Sequence, residues 1–141
     1  MKKTLTSAIA AALVFVSLNS FASSPSSTTI EETTKSMVET FVTSLVNGTV
    51  SYDKKMFANN FEYINTANNN KLNKKQFLKL LEQNKGLEFD AKTSYEILEE
   101  TNDICIAKSV CQFSDFSRVD YITLAKTGEG WKITKVMTTY P

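Results

Sequence analysis

The stretches RVDYITLAK at residues 118–126 and WKITKVMTT at residues 131–139 decide the fold of this chain. Apolar and polar side chains alternate through both, and this period of two is typical of a β-strand with one buried face. Two earlier segments share the alternation, and short polar turns separate all four. We therefore predict four consecutive strands in an antiparallel meander. The predicted strands are Phe89–Leu98, Ile104–Phe113, Arg118–Lys126 and Trp131–Thr139.

Upstream of these strands the apolar period is helical. Apolar residues between Met37 and Val46 recur every three to four positions before Asn47-Gly48, which predicts a long amphipathic helix over Thr29–Asn47. A short helix is predicted over Tyr52–Ala58, and alternation from Phe61 to Thr66 predicts another strand. A further helix starts after the N-cap candidate Asn73 and ends at residues 84–86.

This order of elements predicts an α+β domain, in which a curved antiparallel sheet wraps around the long N-terminal helix as a cone. The domain is predicted to span residues 30–141, after a disordered linker at 23–29. Ten apolar side chains are expected inside the cone: Met37, Phe41, Leu45, Phe57, Phe61, Phe77, Leu81, Ile122, Leu124 and Ile133.

The first 22 residues have the pattern of a bacterial secretory signal peptide. Lys2 and Lys3 precede an apolar run from Ala8 to Leu18, and Ser20-Phe21-Ala22 is a small-x-small cleavage signature. The run is shorter than the roughly 20 residues that span a bilayer; an uncleaved anchor is the alternative. We predict cleavage after Ala22 and a periplasmic or secreted protein.

Composition excludes several function classes. The 141 residues contain no histidine, which removes mechanisms that need an imidazole base and sites with histidine metal ligands. Without Lys2 and Lys3, the mature chain has fourteen basic and fifteen acidic residues. Its net charge is therefore near −1, and we expect no global attraction to nucleic acid or membranes. We expect no metal and no cofactor.

Two cysteines in an exported chain suggest a disulfide. On one continuous strand, however, Cys105 and Cys111 would lie about 20 Å apart, at roughly 3.3 Å per residue, whereas bridged Cα atoms lie about 4.4–6.8 Å apart. The sequence between them has no strong turn residues. The favoured interpretation is two free thiols on one strand face, and a disulfide across a tight hairpin is the alternative.

Several strings, in this order, resemble the nuclear transport factor 2-like superfamily, especially its SnoaL-like (polyketide cyclase-like) and lumazine-binding-like branches. They are FVTSL at 41–45, MFANNFEY at 56–63, KKQFL at 74–78 and VDYITL at 119–124 with GWKI at 130–133. The resemblance covers nearly the whole mature chain. It implies the cone fold, and many similar proteins form homodimers through the outer sheet face, which here carries Tyr121. It does not specify a function, because the fold has several.

The ketosteroid isomerase branch gives the sharpest comparison. The resemblance places Phe41 where those enzymes have a tyrosine and Asn65 where they have the aspartate base, while Asp120 keeps the second aspartate. An asparagine cannot take a proton from carbon, so this chemistry is not expected.

Asp120 has the same strand parity as Ile122 and Leu124, so it is predicted to point inward. A buried carboxylate must be paired, hydrogen-bonded or protonated. Asp120 is therefore either the deepest polar group of a ligand pocket or a structural group bonded to Arg118, a tyrosine or the backbone. Tyr63 and Asn65 are candidates for ligand contact at the mouth of the cone, or else ordinary packing residues.

We favour a non-catalytic domain that binds a small, partly apolar ligand or a protein partner in or around its cone, through Asp120, Tyr63, Asn65 and Phe41. One alternative is a cofactor-free lyase or isomerase of the SnoaL-like type. The other is a filled cone that acts as a structural or assembly subunit. A useful ligand cavity should reach about 300 Å³.

Overall fold

The computed structural model describes residues 27–48 and 54–141, and the side chains of the first helix from residue 33 onward. Two α-helices, a short 3₁₀ turn at Lys54–Met56 and a six-stranded sheet confirm the predicted α+β class. The helices are α1 (Ser27–Asn47) and α2 (Lys74–Gln83), and the strands are β1 (Phe57–Asn65), β2 (Asn70–Asn73), β3 (Lys92–Glu100), β4 (Ile104–Gln112), β5 (Ser117–Thr127) and β6 (Gly130–Thr139).

The sheet is open, and its strand order is β2-β1-β6-β5-β4-β3. The predicted meander β3-β4-β5-β6 is present with antiparallel pairing throughout. β1, however, lies parallel to β6, so the sheet is mixed rather than purely antiparallel. Alternation identifies a strand and its buried face, but it carries no information on the direction of a neighbour that is distant in sequence.

The start of β1 differs from the prediction. Phe57 and Ala58, assigned from the sequence to a short helix, begin the strand, and Phe57 pairs with Ile133. The register shifts between Phe57 and Glu62, which leaves Asn59 and Asn60 exposed; this irregularity masks the alternation. Residues 52 and 53 of the predicted helix lie outside the described residues.

A turn that includes Asn68 and Asn69 joins β1 to the short strand β2, which the sequence analysis missed. Asn69 has a φ of 56°, in the left-handed region that asparagine tolerates. Asn73 then caps α2 as predicted: its side chain accepts a hydrogen bond from the Gln76 backbone N–H, and the Gln76 side chain accepts one from the Asn73 N–H.

The C-terminal end of α1 is fixed by the segment that precedes β3. The Phe89 N–H donates to the Val46 carbonyl at 2.9 Å, and the Gly86 N–H donates to the Gly48 carbonyl at 3.0 Å. These bonds satisfy carbonyl groups at the end of α1. Because Phe89 bonds to the helix and not to a strand, β3 begins at Lys92, later than predicted.

Eight of the ten predicted interior residues are buried, while Met37 and Leu45 are partly buried. Aromatic rings fill the part of the core between α1, α2 and β1, with neighbouring ring centroids 4.9–6.3 Å apart. These rings belong to Phe41, Phe57, Phe61, Tyr63 and Phe77. This half of the cone is solidly packed.

Cys105 and Cys111 are both buried and free, which confirms the interpretation of two thiols on the inward face of β4. The predicted signal peptide at residues 1–22 lies outside the described residues. The predicted linker is described only from Ser27, where α1 begins, two residues before its predicted start at Thr29. Within the described ranges, no helix is long and apolar enough to cross a membrane.

Candidate functional site

A cavity of about 370 Å³ lies where the C-terminal ends of α1 and α2 face the β4–β5 hairpin and the end of β6. Its volume is above the size expected for a useful ligand site. The helices and the loop that follows α2 contribute Ser44, Leu45, Val46, Gly48, Leu81, Asn84 and Phe89. The sheet side contributes Cys111, Phe113, Phe116, Arg118 and Tyr140.

Four of the lining residues form an aromatic rim: Phe89, Phe113, Phe116 and Tyr140. Their rings follow one another, with centroid distances of 6.3 Å, 4.5 Å and 6.1 Å. The second pair, Phe113 and Phe116, is stacked with an interplanar angle of 15°. Phe89, Phe116 and Tyr140 are each more than 40% exposed. Such a continuous exposed apolar surface beside a cavity is a feature of ligand or partner sites.

Arg118 is the only arginine of the chain, and it is the only charged residue among the described residues that line the cavity. Its Nε donates to both carboxylate oxygens of Asp120, at 3.1 Å and 3.0 Å, and its Nη2 donates to Oδ1 at 3.0 Å. Nη2 also lies 3.3 Å from the Thr138 hydroxyl, which itself donates to Asp120. The guanidinium is thus fixed through one of its edges.

The two members of this pair differ in exposure. The Asp120 side chain is completely buried, whereas 21% of the Arg118 side chain remains accessible. The guanidinium has five N–H donors, and those on Nη1 make no hydrogen bond with any described residue. The positive member of the pair therefore lines the cavity, and the negative member lies behind it.

The local electrostatics keep Arg118 charged and keep the Tyr140 phenol and the Cys111 thiol protonated. Burial opposes the Arg118 charge, but the Asp120 carboxylate outweighs this effect and the pKa of Arg118 is raised. Burial raises the pKa of the Tyr140 phenol, which stays protonated and can donate a hydrogen bond. Burial, followed by the charge of Asp120, also raises the pKa of the Cys111 thiol. Cys111 is therefore a weak nucleophile.

The sequence analysis left two interpretations of Asp120 open, a pocket group or a structural group bonded to a neighbour such as Arg118. Arg118 and Asp120 are two residues apart on one strand, so both can point inward and pair. The structure agrees with the alternative interpretation, a structural carboxylate.

The other three candidate residues lie outside the cavity lining, like Asp120. Phe41 and Tyr63 belong to the packed aromatic half of the core. Asn65 lies at the end of β1, where its side chain accepts a hydrogen bond from the Ala67 N–H at 3.0 Å and forms a turn. Ligand contact by these four residues stays a prediction.

The sequence analysis missed Arg118 and the aromatic rim as site residues. Two signals were present. A single arginine two positions from an inward aspartate suggests a buried ion pair. Phe113 and Phe116 flank Ser114-Asp115, where a hairpin normally exposes polar side chains, so two aromatic residues there indicate a surface with a function.

Among the residues that the structure describes, no group of three histidine, cysteine, aspartate or glutamate side chains is placed to hold a metal ion.

A protein family described as "Putative lumazine-binding" has a sequence model that matches residues 29–138. No curated protein matches the sequence significantly.

Among solved structures, an NTF2-like protein of unknown function from Silicibacter pomeroyi superposes with a TM-score of 0.64 at 15% identity, over 82% of this chain and 99% of that one. An NTF2-like protein of unknown function from Shewanella baltica gives 0.65 at 10% identity, over 84% and 98%. A protein from Shewanella frigidimarina described as a "putative ketosteroid isomerase" gives 0.58 at 18% identity, over 74% and 92%. At these identities the similarity establishes the NTF2-like fold.

Proposed function

The chain belongs to the family described as "Putative lumazine-binding", and we propose that it is a non-catalytic domain that binds a small, partly apolar molecule in the cavity beside Arg118. The observation that carries this proposal is the cavity itself: about 370 Å³, walled mainly by apolar and aromatic side chains, with one charged group. A few polar groups in an apolar pocket are the usual design of a small-molecule site.

The cavity also favours the binding proposal over the alternative of a filled cone that acts as a structural subunit. Aromatic rings fill the core between α1, α2 and β1, but the packing stops at the C-terminal ends of the helices, where the cavity begins. A filled cone would leave no volume of this size between the helix ends and the sheet.

A binding role also fits the chemistry of the cavity better than a lyase or isomerase role. Among the described lining residues there is no carboxylate, and the pKa of the one thiol is raised. Asp120, which pairs with the cavity residue Arg118, is engaged by Arg118 and Thr138. A proton-abstracting enzyme needs a base within hydrogen-bond reach of its substrate.

Native mass spectrometry of the full chain, purified without unfolding, tests the proposal. We expect a bound small molecule that is lost from a Ser44→Leu variant, because Ser44 is buried on the cavity wall and the larger side chain occupies the cavity. Thr43→Leu is the matched control, since the adjacent residue of α1 is exposed. Equal ligand content in wild type and Ser44→Leu would contradict the proposal.

We also propose that the outer face of the sheet forms a homodimer. Tyr121, which is 39% exposed, and the half-buried side chains of Ile106, Val110 and Met137 lie on this face. Light scattering tests the dimer: Tyr121→Lys should give a monomer, while Leu87→Lys, outside the sheet, should not. A monomeric wild type at high concentration would refute the dimer.

We further propose that the protein is exported and that its signal peptide is cleaved. The intact mass of the native protein tests this proposal. A chain that starts at Ser23 is expected, and a full-length chain that retains Met1 would refute cleavage.

A further inference from the structure

We infer that the cavity is selective for an aromatic carboxylate, whose carboxylate binds the unpaired edge of Arg118 and whose ring packs against the aromatic rim. This inference rests on the proposed function and specifies its ligand class. Three features of the structure lead to it: the unused donors of Arg118, the position of its counter-charge, and the shape and polarity of the surrounding wall.

The hydrogen bonds of Arg118 divide its guanidinium into two parts. Nε and Nη2 bind the carboxylate of Asp120 and the hydroxyl of Thr138. Nη1 has two N–H donors without a partner among the described residues. Since the side chain lines the cavity, these donors are available to a molecule inside it. These donors belong to a charged group, and hydrogen bonds from a charged donor to a carboxylate are stronger than neutral ones, so the site favours an anionic ligand that accepts hydrogen bonds.

The position of Asp120 makes the cavity electropositive although the pair is neutral overall. Asp120 has no exposed side-chain surface and does not line the cavity, whereas Arg118 does. A ligand in the cavity is therefore closer to the positive charge than to the negative one, and the nearer charge dominates at short range. Asp120 and Thr138 also hold the guanidinium in place before the ligand arrives, which reduces the entropy lost on binding.

The wall around Arg118 adds donors and flat surfaces. Tyr140 lies near Arg118, and its raised phenol pKa keeps its hydroxyl protonated at neutral pH, so it can donate to an anion. The stacked rings of Phe113 and Phe116 and the rings of Phe89 and Tyr140 face the apolar part of a ligand. Aromatic pairs add affinity beyond the burial of area, which favours a planar ligand body.

Titration calorimetry of the full, natively purified chain with three matched probes tests the inference: 2-naphthoate, 2-naphthamide and 2-naphthylmethylamine. These share one ring system and carry a negative, a neutral and a positive head group. We expect 2-naphthoate to bind about 10-fold tighter than 2-naphthamide, as befits a hydrogen bond to a charged group. The amine should bind most weakly, because Arg118 repels it.

Two variants test whether Arg118 causes the preference for 2-naphthoate. Arg118→Lys keeps a positive charge that can pair with Asp120 but lacks the planar donor edge, so it should lose most of the naphthoate preference while the amide affinity stays within about threefold. Lys126→Gln is the matched control, because Lys126 is an exposed cation on the same strand. It should leave the preference unchanged. A thermal melt of each variant verifies that it is folded.

The outcomes separate the inference from the proposed function. Equal binding of naphthoate and naphthamide, with both blocked by Ser44→Leu, would refute the carboxylate preference and leave the ligand-binding function standing. Absence of binding by all three probes would likewise refute the inference. The native mass spectrum of the wild type decides the function independently of any probe.

Discussion

Replacing Asp120 by asparagine should destabilise the protein, because the change removes the negative charge but not the positive one that it neutralises. The Asp120 carboxylate has no solvent exposure and accepts hydrogen bonds from Arg118 and Thr138. The asparagine amide keeps one acceptor oxygen, but its NH2 group cannot accept a hydrogen bond. This NH2 group would face a donor of Arg118 or Thr138. The guanidinium then remains largely buried without a counter-charge.

The structure sets the expected magnitude. Removing one partner of a fully buried ion pair costs roughly 3–5 kcal/mol. Arg118 retains 21% exposure, so water recovers part of this loss. We therefore expect Asp120→Asn to lower the free energy of unfolding by about 2–3 kcal/mol, and the melting temperature by roughly 10 °C.

Urea denaturation, followed by the fluorescence of Trp131 and by far-ultraviolet circular dichroism, measures the loss. Glu62→Gln is the matched control, since Glu62 pairs with Lys135 at 3.5 Å with both side chains more than 40% exposed. Exposed pairs contribute about 1 kcal/mol or less. Equal losses in the two variants, at an unchanged denaturant slope, would refute the structural role of Asp120.

A double variant separates pairing from charge. Arg118→Leu combined with Asp120→Leu removes both charges, so no unpaired buried ion remains. We expect it to be more stable than Asp120→Asn, because apolar replacement of a buried pair is often neutral. A double variant less stable than the single variant would indicate that the pair stabilises the fold beyond mutual neutralisation.

Three further predictions concern single positions. Ser109→Ala should leave stability unchanged or raise it by about 1 kcal/mol in urea denaturation, because the buried Ser109 hydroxyl has no partner among the described residues; a clear loss would indicate an unseen bond. Gly48→Ala should destabilise more than Gly86→Ala in thermal melts, since both have positive φ but only at Gly48 would the new Cβ lie 2.3 Å from the Leu87 carbonyl oxygen; equal losses would contradict this. Cys105 and Cys111 should resist a thiol reagent at pH 8 until urea is added and then react as two thiols, because both are buried and burial raises the pKa of both. Fast labelling of the native protein would refute this protection. The contribution of the two thiols to stability is present below the unfolded thiol pKa and is lost as pH rises through the higher folded pKa.

The sequence predicted those features that depend on local periodicity. The four meander strands, α1, and the Asn73 cap of α2 were identified because each has a pattern that its own residues produce. Features that depend on distant partners were missed. The parallel pairing of β1 with β6 joins segments about 75 residues apart. Phe89 looked like a strand residue, but its N–H bonds to the end of α1.

The sequence analysis predicted that Asp120 points inward, but it did not predict that Arg118, its ion-pair partner, borders the cavity. Strand parity places Arg118 and Asp120 on the inward face without saying which one borders open space. Two facts determine which of the two residues borders the cavity. Arg118 precedes Asp120 along β5 and so lies nearer the β4–β5 hairpin, where the cavity is. Its side chain is also long enough to bind Asp120 through one edge and leave the other edge free. A short carboxylate, which stays close to the sheet, is buried by the same arrangement. The inward pair therefore presents positive charge to the cavity, which is why the expected ligand is an anion and not a cation.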